Sequence, residues 1–228
     1  MIRMTHVFKT YPSQITALSD INLEILGGEF IFITGPSGSG KTTLLRLLSG
    51  AERPTSGEIT VNGIHLGPKG FSKMYRLRRM VGMVSREFKL LQDRTVRGNV
   101  AFVLEVTGRA GKEAKSKVSE ILRRMKLQER EEDLIVTLSA GEQQRVAIAR
   151  ALVSDPVFLL ADEPTESLDA PTTTDVMEIF KDLHLKGTSV ILATRDTGLI
   201  RRYPYPAIHL LSGKRVDDQR SDPVRTQA

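Results

Sequence analysis

The sequence predicts an α/β fold: a parallel-sheet core carrying an antiparallel β flank and a helical subdomain. Three observations carry that expectation. Three short apolar runs do not alternate with polar residues, the first of them opens into a glycine-rich loop and a helical pattern, and a stretch from about Val96 to Arg150 repeats its apolar residues at helical spacing.

Taken in order, the opening from Ile2 to Ile25 and the segment Glu58–Gly63 alternate apolar and polar residues and are broken by turns. Such strands keep one face wet, which places an antiparallel sheet on one flank. Phe30–Ile33, Val157–Ala161 and Val190–Ala193 are continuously apolar, as strands covered on both faces are. Ligands of doubly wound sheets bind beyond the carboxyl ends of such strands, so the residues following each run are the first candidates for chemistry. In the helical stretch Val118, Ile121, Leu122 and Met125 share a face, and Gly108 to Gly111 reads as a connector. The whole chain, residues 1–228, reads as one domain. Residues 1–85 and 146–215 are expected to form its core and 86–145 its helical subdomain. The stretch after Gly213, rich in Asp, Arg, Gln and Ser, reads as loosely ordered, with residues 216–228 set apart as a tail.

Composition narrows the function. The chain has 228 residues, of which 40% are hydrophobic, and no cysteine, which excludes a disulfide scaffold, a thiolate zinc site and a cysteine nucleophile. Its apolar runs are strand-sized, far below the roughly 18 residues of a membrane-spanning helix. Met1–His6 lacks an apolar segment behind a basic one, so export by a signal peptide is not expected and the reading is cytosolic. The formal charge is +6. The segment from Lys73 to Arg97 alone holds eight basic residues against Glu87 and Asp93, so the rest of the chain is neutral. Either one face meets something anionic or a helix face is simply solvated. No aromatic interleaving or groove-reading motif supports nucleic acid.

Directly after the first apolar run stands Gly35-Pro36-Ser37-Gly38-Ser39-Gly40-Lys41-Thr42, a G-x-x-x-x-G-K-[ST] loop leading into Thr43-Leu44-Leu45-Arg46. Glycines let backbone N–H groups turn toward phosphate oxygens, and a helix N-terminus adds the positive end of its dipole. In this pattern Lys41 reaches the β and γ phosphates and the Thr42 hydroxyl binds Mg²⁺. After the second run come Asp162 and Glu163. Two carboxylates at a strand end suit a division of labour, Asp162 on the metal side and Glu163 polarising a water. Alone, the pair also fits a polar cap on the turn before Pro164; the phosphate loop favours the catalytic reading.

One further motif, Leu138-Ser139-Ala140-Gly141-Glu142-Gln143-Gln144-Arg145, just before the second apolar run, resembles the signature of the ATP-binding cassette (ABC) ATPases. The resemblance covers nearly the whole chain. It implies a P-loop NTPase fold of ABC type with a RecA-like core, ATP and Mg²⁺ as ligands, Tyr11 stacked on adenine, and Ser167-Leu168-Asp169 as the D-loop. It also implies a head-to-tail homodimer sandwiching two ATP molecules, with the phosphate loop, Thr43 included, of one subunit facing Ser139, Gly141 and Glu142 of the other and Asp169 near the same interface. Leu90–Val96, Asn99-Val100-Ala101 and Glu52-Arg53-Pro54 are most similar to the family's bacterial cell-division branch; its lipoprotein-release and macrolide-export branches are nearest rivals. That branch works with a membrane protein at the cytoplasmic face of the inner membrane. In the family the region around Arg76 to Arg97 receives the partner, close to an anionic membrane surface.

The chain departs from the family pattern where the γ-phosphate is normally sensed. Arg86 occupies the Q-loop glutamine position and Arg195 the switch histidine position. Arg has five donors and no acceptor, so Arg86 cannot ligate a metal. A guanidinium about 5 Å from Mg²⁺ would be repelled by roughly 7 kcal/mol at an effective dielectric near 20, so Arg86 is expected to swing away or disfavour bound metal. Arg195 cannot shuttle a proton, yet its charge suits a transition state as an arginine finger does. Smaller departures are Ala140 for glycine, acceptable at a helix start, and Glu166-Ser167 for Gly-Asn. The sequence thus supports a slow ATPase or an ATP-gated clamp with negligible turnover. A DNA-associated ATPase fits poorly, since the chain has no room for the large coiled-coil insertions such ABC proteins carry.

Overall fold

The computed structural model describes residues 1–71, 73–109 and 111–216, and the chain forms eleven strands and seven helices among them. In chain order these are β1 (Ile2–Thr10), β2 (Thr16–Ile25), β3 (Phe30–Thr34), α1 (Lys41–Leu48), β4 (Ser56–Val61), β5 (Ile64–Gly67), β6 (Gly70–Phe71), α2 (Met74–Met80) and β7 (Val81–Val84). There follow α3 (Val96–Val106), α4 (Lys112–Arg124), α5 (Ala140–Leu152), β8 (Phe158–Asp162), α6 (Ala170–Leu185), β9 (Ser189–Thr194), α7 (Thr197–Arg202), β10 (Ala207–Leu211) and β11 (Lys214–Val216).

The three apolar runs are three neighbouring strands of a six-stranded sheet ordered β11-β10-β3-β9-β8-β7, parallel except for β11. Their lack of alternation follows from burial on both faces. Phe30, Phe32, Leu159, Ala161, Val190 and Leu192 face one apolar cluster, while Ile31, Ile33, Phe158, Leu160, Ile191 and Ala193 face another. The first cluster is closed by α3, α4, α5 and α6. The second is closed by α1, through Leu44, Leu45, Leu47 and Leu48, and by the antiparallel sheet β2-β1-β4-β5-β6. Helix α1 therefore lies between the two sheets. Each of these aliphatic side chains contributes about 1.5–3 kcal/mol on full burial.

Val118, Ile121, Leu122 and Met125 are buried as their spacing predicts, the last just beyond the end of α4. Helix starts follow local chemistry: Thr95, Ser139, Asp169 and Asp196 each accept a backbone N–H of the turn they open. Ser139 forms a full capping box with Glu142, and Ala140 sits at an ordinary first helical position. Asn99, wholly buried, donates to the carbonyls of Leu91 and Thr95 and accepts from the Leu91 N–H, so its part in the branch-specific segment is to pin that loop.

One expectation is corrected. The stretch after Gly213 is not loose at its start: Ser212 (φ 48°) and Gly213 (φ 77°) make a two-residue hairpin turn, and Lys214–Val216 pairs antiparallel with β10. Gly213 donates its N–H to the Ser39 carbonyl at 3.2 Å, and Ser19 donates to the Gly213 carbonyl at 2.8 Å, so this turn braces the phosphate loop. The remainder of the proposed tail, 217–228, lies outside the described residues. The basic segment divides between the two readings open to it. Arg86 pairs with Glu166, Arg94 with Glu105, and Arg97 with Glu131 and Glu132, whereas Arg76, Arg78 and Arg79 on α2 make no ion pair among the described residues.

Arg150, near the end of α5, donates to the carbonyls of Phe88 (2.7 Å) and Lys89 (2.6 Å), two successive residues held at left-handed φ of 56° and 50°. Burial lowers the affinity of this guanidinium for its proton. Replacing Arg150 with methionine leaves both carbonyls unpaired and is expected to cost about 2–3 kcal/mol, lowering the melting temperature by roughly 5–10 °C. Lysine, with one donor group, is expected to recover part of that; thermal and denaturant melts check both.

Candidate functional site

The carboxyl ends of β3, β9, β8 and β7 lie side by side in that order. Residues the sequence places far apart are thereby lined up: the phosphate loop after β3, Arg195 after β9, Asp162 and Glu163 at the end of β8, and Arg86 just after β7. They surround one cavity of about 280 Å³, whose wall comprises Tyr11, residues 15–17 and 37–43, Arg86, Asp162, Glu163 and Arg195.

The loop's geometry follows from its sequence. Gly40 has φ 103°, and a Cβ there would meet the Ala17 carbonyl and the Leu18 side chain at 2.6 Å. No other residue fits that position. Helix α1, which Gly40 opens, has no side-chain cap, so its first N–H groups face the loop with no hydroxyl or carboxylate on them. Lys41 is 7% exposed and its Nζ donates to the carbonyls of Gly35 (2.8 Å) and Pro36 (3.0 Å). Those two residues thus position the lysine rather than line the cavity. Ser39 is 2% exposed and its Oγ has no hydrogen-bond partner among the described residues. A buried unpaired hydroxyl beside uncapped helix N–H groups and a lysine fits an anion with several oxygens.

Asp162 is 3% exposed, and burial pushes its carboxyl above the usual carboxylate range, against a hydrogen bond with Thr42 and the charges of Lys41, Arg46 and Arg86. Thr42 and Asp162 present paired hard oxygens, the donor chemistry that suits Mg²⁺. Among the described residues no group of three or more His, Asp or Glu could hold a metal, so a cation here would take its other ligands from phosphate oxygens and water. Glu163 is 8% exposed at the left-handed φ of 47°, its N–H donating to the Ala193 carbonyl at 2.9 Å. Its Oε2 accepts the Arg195 N–H at 3.3 Å, and the residue lines the cavity.

At the other end, the Tyr11 hydroxyl lies 3.4 Å from Thr43 Oγ1, with Lys9 Nζ 4.8 Å from the ring centroid. Exposed Ile15 lines the same wall, a contact no single-sequence signal announced. Ser139, Gly141, Glu142 and Asp169 do not line this cavity. Ser139 and Glu142 bond each other, Asp169 caps α6 through the Thr172 N–H, and Gly141 packs against the Ser167 carbonyl, which joins the signature segment to the D-loop within one chain. Those bonds to Ser139 and to Thr172 hold the Glu142 and Asp169 carboxyls below their usual range. The feature the sequence missed is Glu166, which binds both Arg86 and Arg195.

A parallel sheet whose first strand feeds a glycine-rich loop and an uncapped helix, with a paired Asp-Glu two strands away, defines a phosphate-loop nucleotide-binding protein. The family description "ABC transporter" matches residues 18–166, and the chain belongs to this family as an ABC-type ATPase. It is 44% identical over 220 residues to the cell division ATP-binding protein FtsE of Mycobacterium tuberculosis, covering 96% of each chain. It is 38% identical over 219 residues to FtsE of Bacillus subtilis, again covering 96% of each. Among solved structures it resembles the dimeric, post-hydrolysis ATP-binding cassette MJ0796 bound to ADP and Pi, with a TM-score of 0.88 and 34% identity over 95% of this chain and 97% of that one.

Proposed function

We propose that this chain is the ATP-binding subunit of an FtsEX-like complex acting in cell division at the cytoplasmic face of the bacterial inner membrane. The observation that carries the reading is the alignment of Lys41, Thr42, Asp162 and Glu163 along one sheet edge beside the uncapped start of α1. The loop N–H groups and Lys41 bind the phosphates of ATP, with Tyr11 against the adenine. Thr42 and Asp162 would hold Mg²⁺, which when bound neutralises phosphate charge. Glu163, steadied by the Arg195 N–H, orients and deprotonates the attacking water. Ser139, Gly141, Glu142 and Asp169 meet the nucleotide of a second copy. ATP then favours the closed homodimer through contacts the open state lacks, and hydrolysis releases it. No helix among the described residues is long and apolar enough to cross a membrane. By likeness to the FtsE relatives, the motion is passed to an FtsX-like membrane protein that controls peptidoglycan hydrolysis.

A second reading has its own support. With Arg86 and Arg195 both tied to Glu166, turnover is slow, and in the limit the protein is an ATP-gated clamp. For the partner, the free basic face of α2 is the docking candidate. Changing Arg76, Arg78 and Arg79 to glutamine is expected to reduce co-purification with a co-expressed FtsX-like protein at least fivefold. Undiminished capture would count against this assignment.

A further inference from the structure

Arg86, Glu166 and Arg195 follow β7, β8 and β9 in turn, and Glu166 spans the gap between the other two. Arg86 donates Nε to Glu166 Oε2 at 2.8 Å and Nη2 to Oε1 at 2.9 Å, a two-pronged fork, and Arg195 Nη2 donates to Oε1 at 2.5 Å. One carboxylate therefore carries two guanidiniums. Its position relative to the cavity is informative: Arg86 and Arg195 line the phosphate cavity and Glu166 does not. Glu166 lines an adjoining cleft with Glu163, Leu168 and Arg195. The carboxylate thus holds both cations from outside the site they face.

Charge gives this arrangement a consequence. Around the cavity Lys41, Arg86 and Arg195 balance Asp162, Glu163 and Glu166, so the site is neutral while Glu166 holds its partners. A phosphate offers the same fork of oxygens to a guanidinium as a carboxylate does. Both arginine side chains are 53% exposed, so a ligand can reach them while Glu166 holds them, and the fork competes with an incoming phosphate rather than barring it. Glu166 stays ionised at neutral pH: burial raises its proton affinity, but the bonds and charges of Arg86 and Arg195 outweigh that and hold its carboxyl below the usual range.

We propose that Glu166 is a positioning residue that presents Arg86 and Arg195 as a paired guanidinium receiver for the terminal phosphate of a nucleoside triphosphate, and that this phosphate competes with Glu166 for the pair. The inference rests on the ATP reading above and deepens it. The α1 N-terminus serves the phosphates that ATP and ADP share, and Lys41 the β and γ phosphates. The receiver, whose two arginines follow β7 and β9 on either side of Asp162 and Glu163, responds to the third. The arginines thereby make the site select triphosphate over diphosphate, with Glu166 setting the degree of selection.

The test is calorimetric titration of ATP and of ADP in magnesium-free buffer, so that no turnover intervenes, with the parent, Glu166→Gln, and an Arg86→Gln, Arg195→Gln double variant. In Glu166→Gln, the ratio of the ADP to the ATP dissociation constant is expected to rise about tenfold, because the guanidiniums are freed and a nearby negative charge is gone. In the double variant the ratio is expected to fall about tenfold or more. ADP affinity within about twofold of the parent in each variant reports an intact loop, and if Glu166→Gln does not fold, the double variant carries the test. ATP and ADP affinities that move in parallel in both variants mean that the triad only staples three loops, and the inference is overturned while the ATP reading stands. A parent that binds ADP and ATP equally also overturns it. A parent that binds neither overturns the ATP reading, and the inference with it.

Discussion

Replacing Lys41 with alanine is expected to weaken ATP binding at least a hundredfold. Its ammonium is almost wholly buried, and two of its protons are already committed to the Gly35 and Pro36 carbonyls, which aim it across the loop before any phosphate arrives. A charge-assisted hydrogen bond contributes about 1.5–3 kcal/mol, and a hundredfold in affinity is about 2.7 kcal/mol, so one or two lost phosphate contacts suffice. The variant also leaves the Gly35 carbonyl without its partner, while Pro36 keeps the Ser39 N–H, which is expected to cost roughly 1–2 kcal/mol of stability. A melt beside the nucleotide titration separates the effects: folded protein with the parent's ATP affinity would remove Lys41 from the site.

Replacing Glu163 with glutamine is expected to cut turnover at least a hundredfold while leaving ATP binding intact. The side chain keeps its shape, and its carbonyl oxygen can still accept the Arg195 N–H, so what is removed is the capacity to take a proton. If ATP closes two copies and hydrolysis opens them, this variant accumulates as a dimer. Light scattering is expected to show a dimer with ATP and Mg²⁺ and a monomer with ADP. A monomer in both conditions would contradict the proposed cycle.

The parts of the fold legible in the sequence are those fixed by local chemistry. Phe30–Thr34, Phe158–Asp162 and Ser189–Thr194 announce themselves because burial on both faces permits no polar residue, and Ser139 with Glu142 spells a helix start within four residues. The site's loop was legible for the same reason: Gly40 and Lys41 act through their own backbone and their immediate neighbours. What escaped depends on pairing across distance. Glu166 reaches Arg86, 80 residues away, and Arg195, 29 away, and read in isolation these were three separate departures rather than one cluster. Arg150 and the carbonyls of Phe88 and Lys89 are likewise invisible without the fold. The basic run left two readings open because only the fold shows that Arg86, Arg94 and Arg97 are answered by Glu166, Glu105, Glu131 and Glu132, while Arg76, Arg78 and Arg79 make no ion pair among the described residues. Strand β11 was lost in a polar stretch whose Ser212-Gly213 turn is a short signal beside the charged residues that follow.

Hydrolysis of ATP at this sheet edge, with Glu163 as the base, has a direct readout. The most direct measurement is Mg²⁺-dependent phosphate release by the purified chain beside Glu163→Gln, at an ATP concentration shown to saturate both. The parent is expected to release phosphate slowly but measurably, and the variant at least a hundredfold more slowly. Bound ATP with no release by the parent above the variant's background would contradict this and leave the protein an ATP-gated clamp.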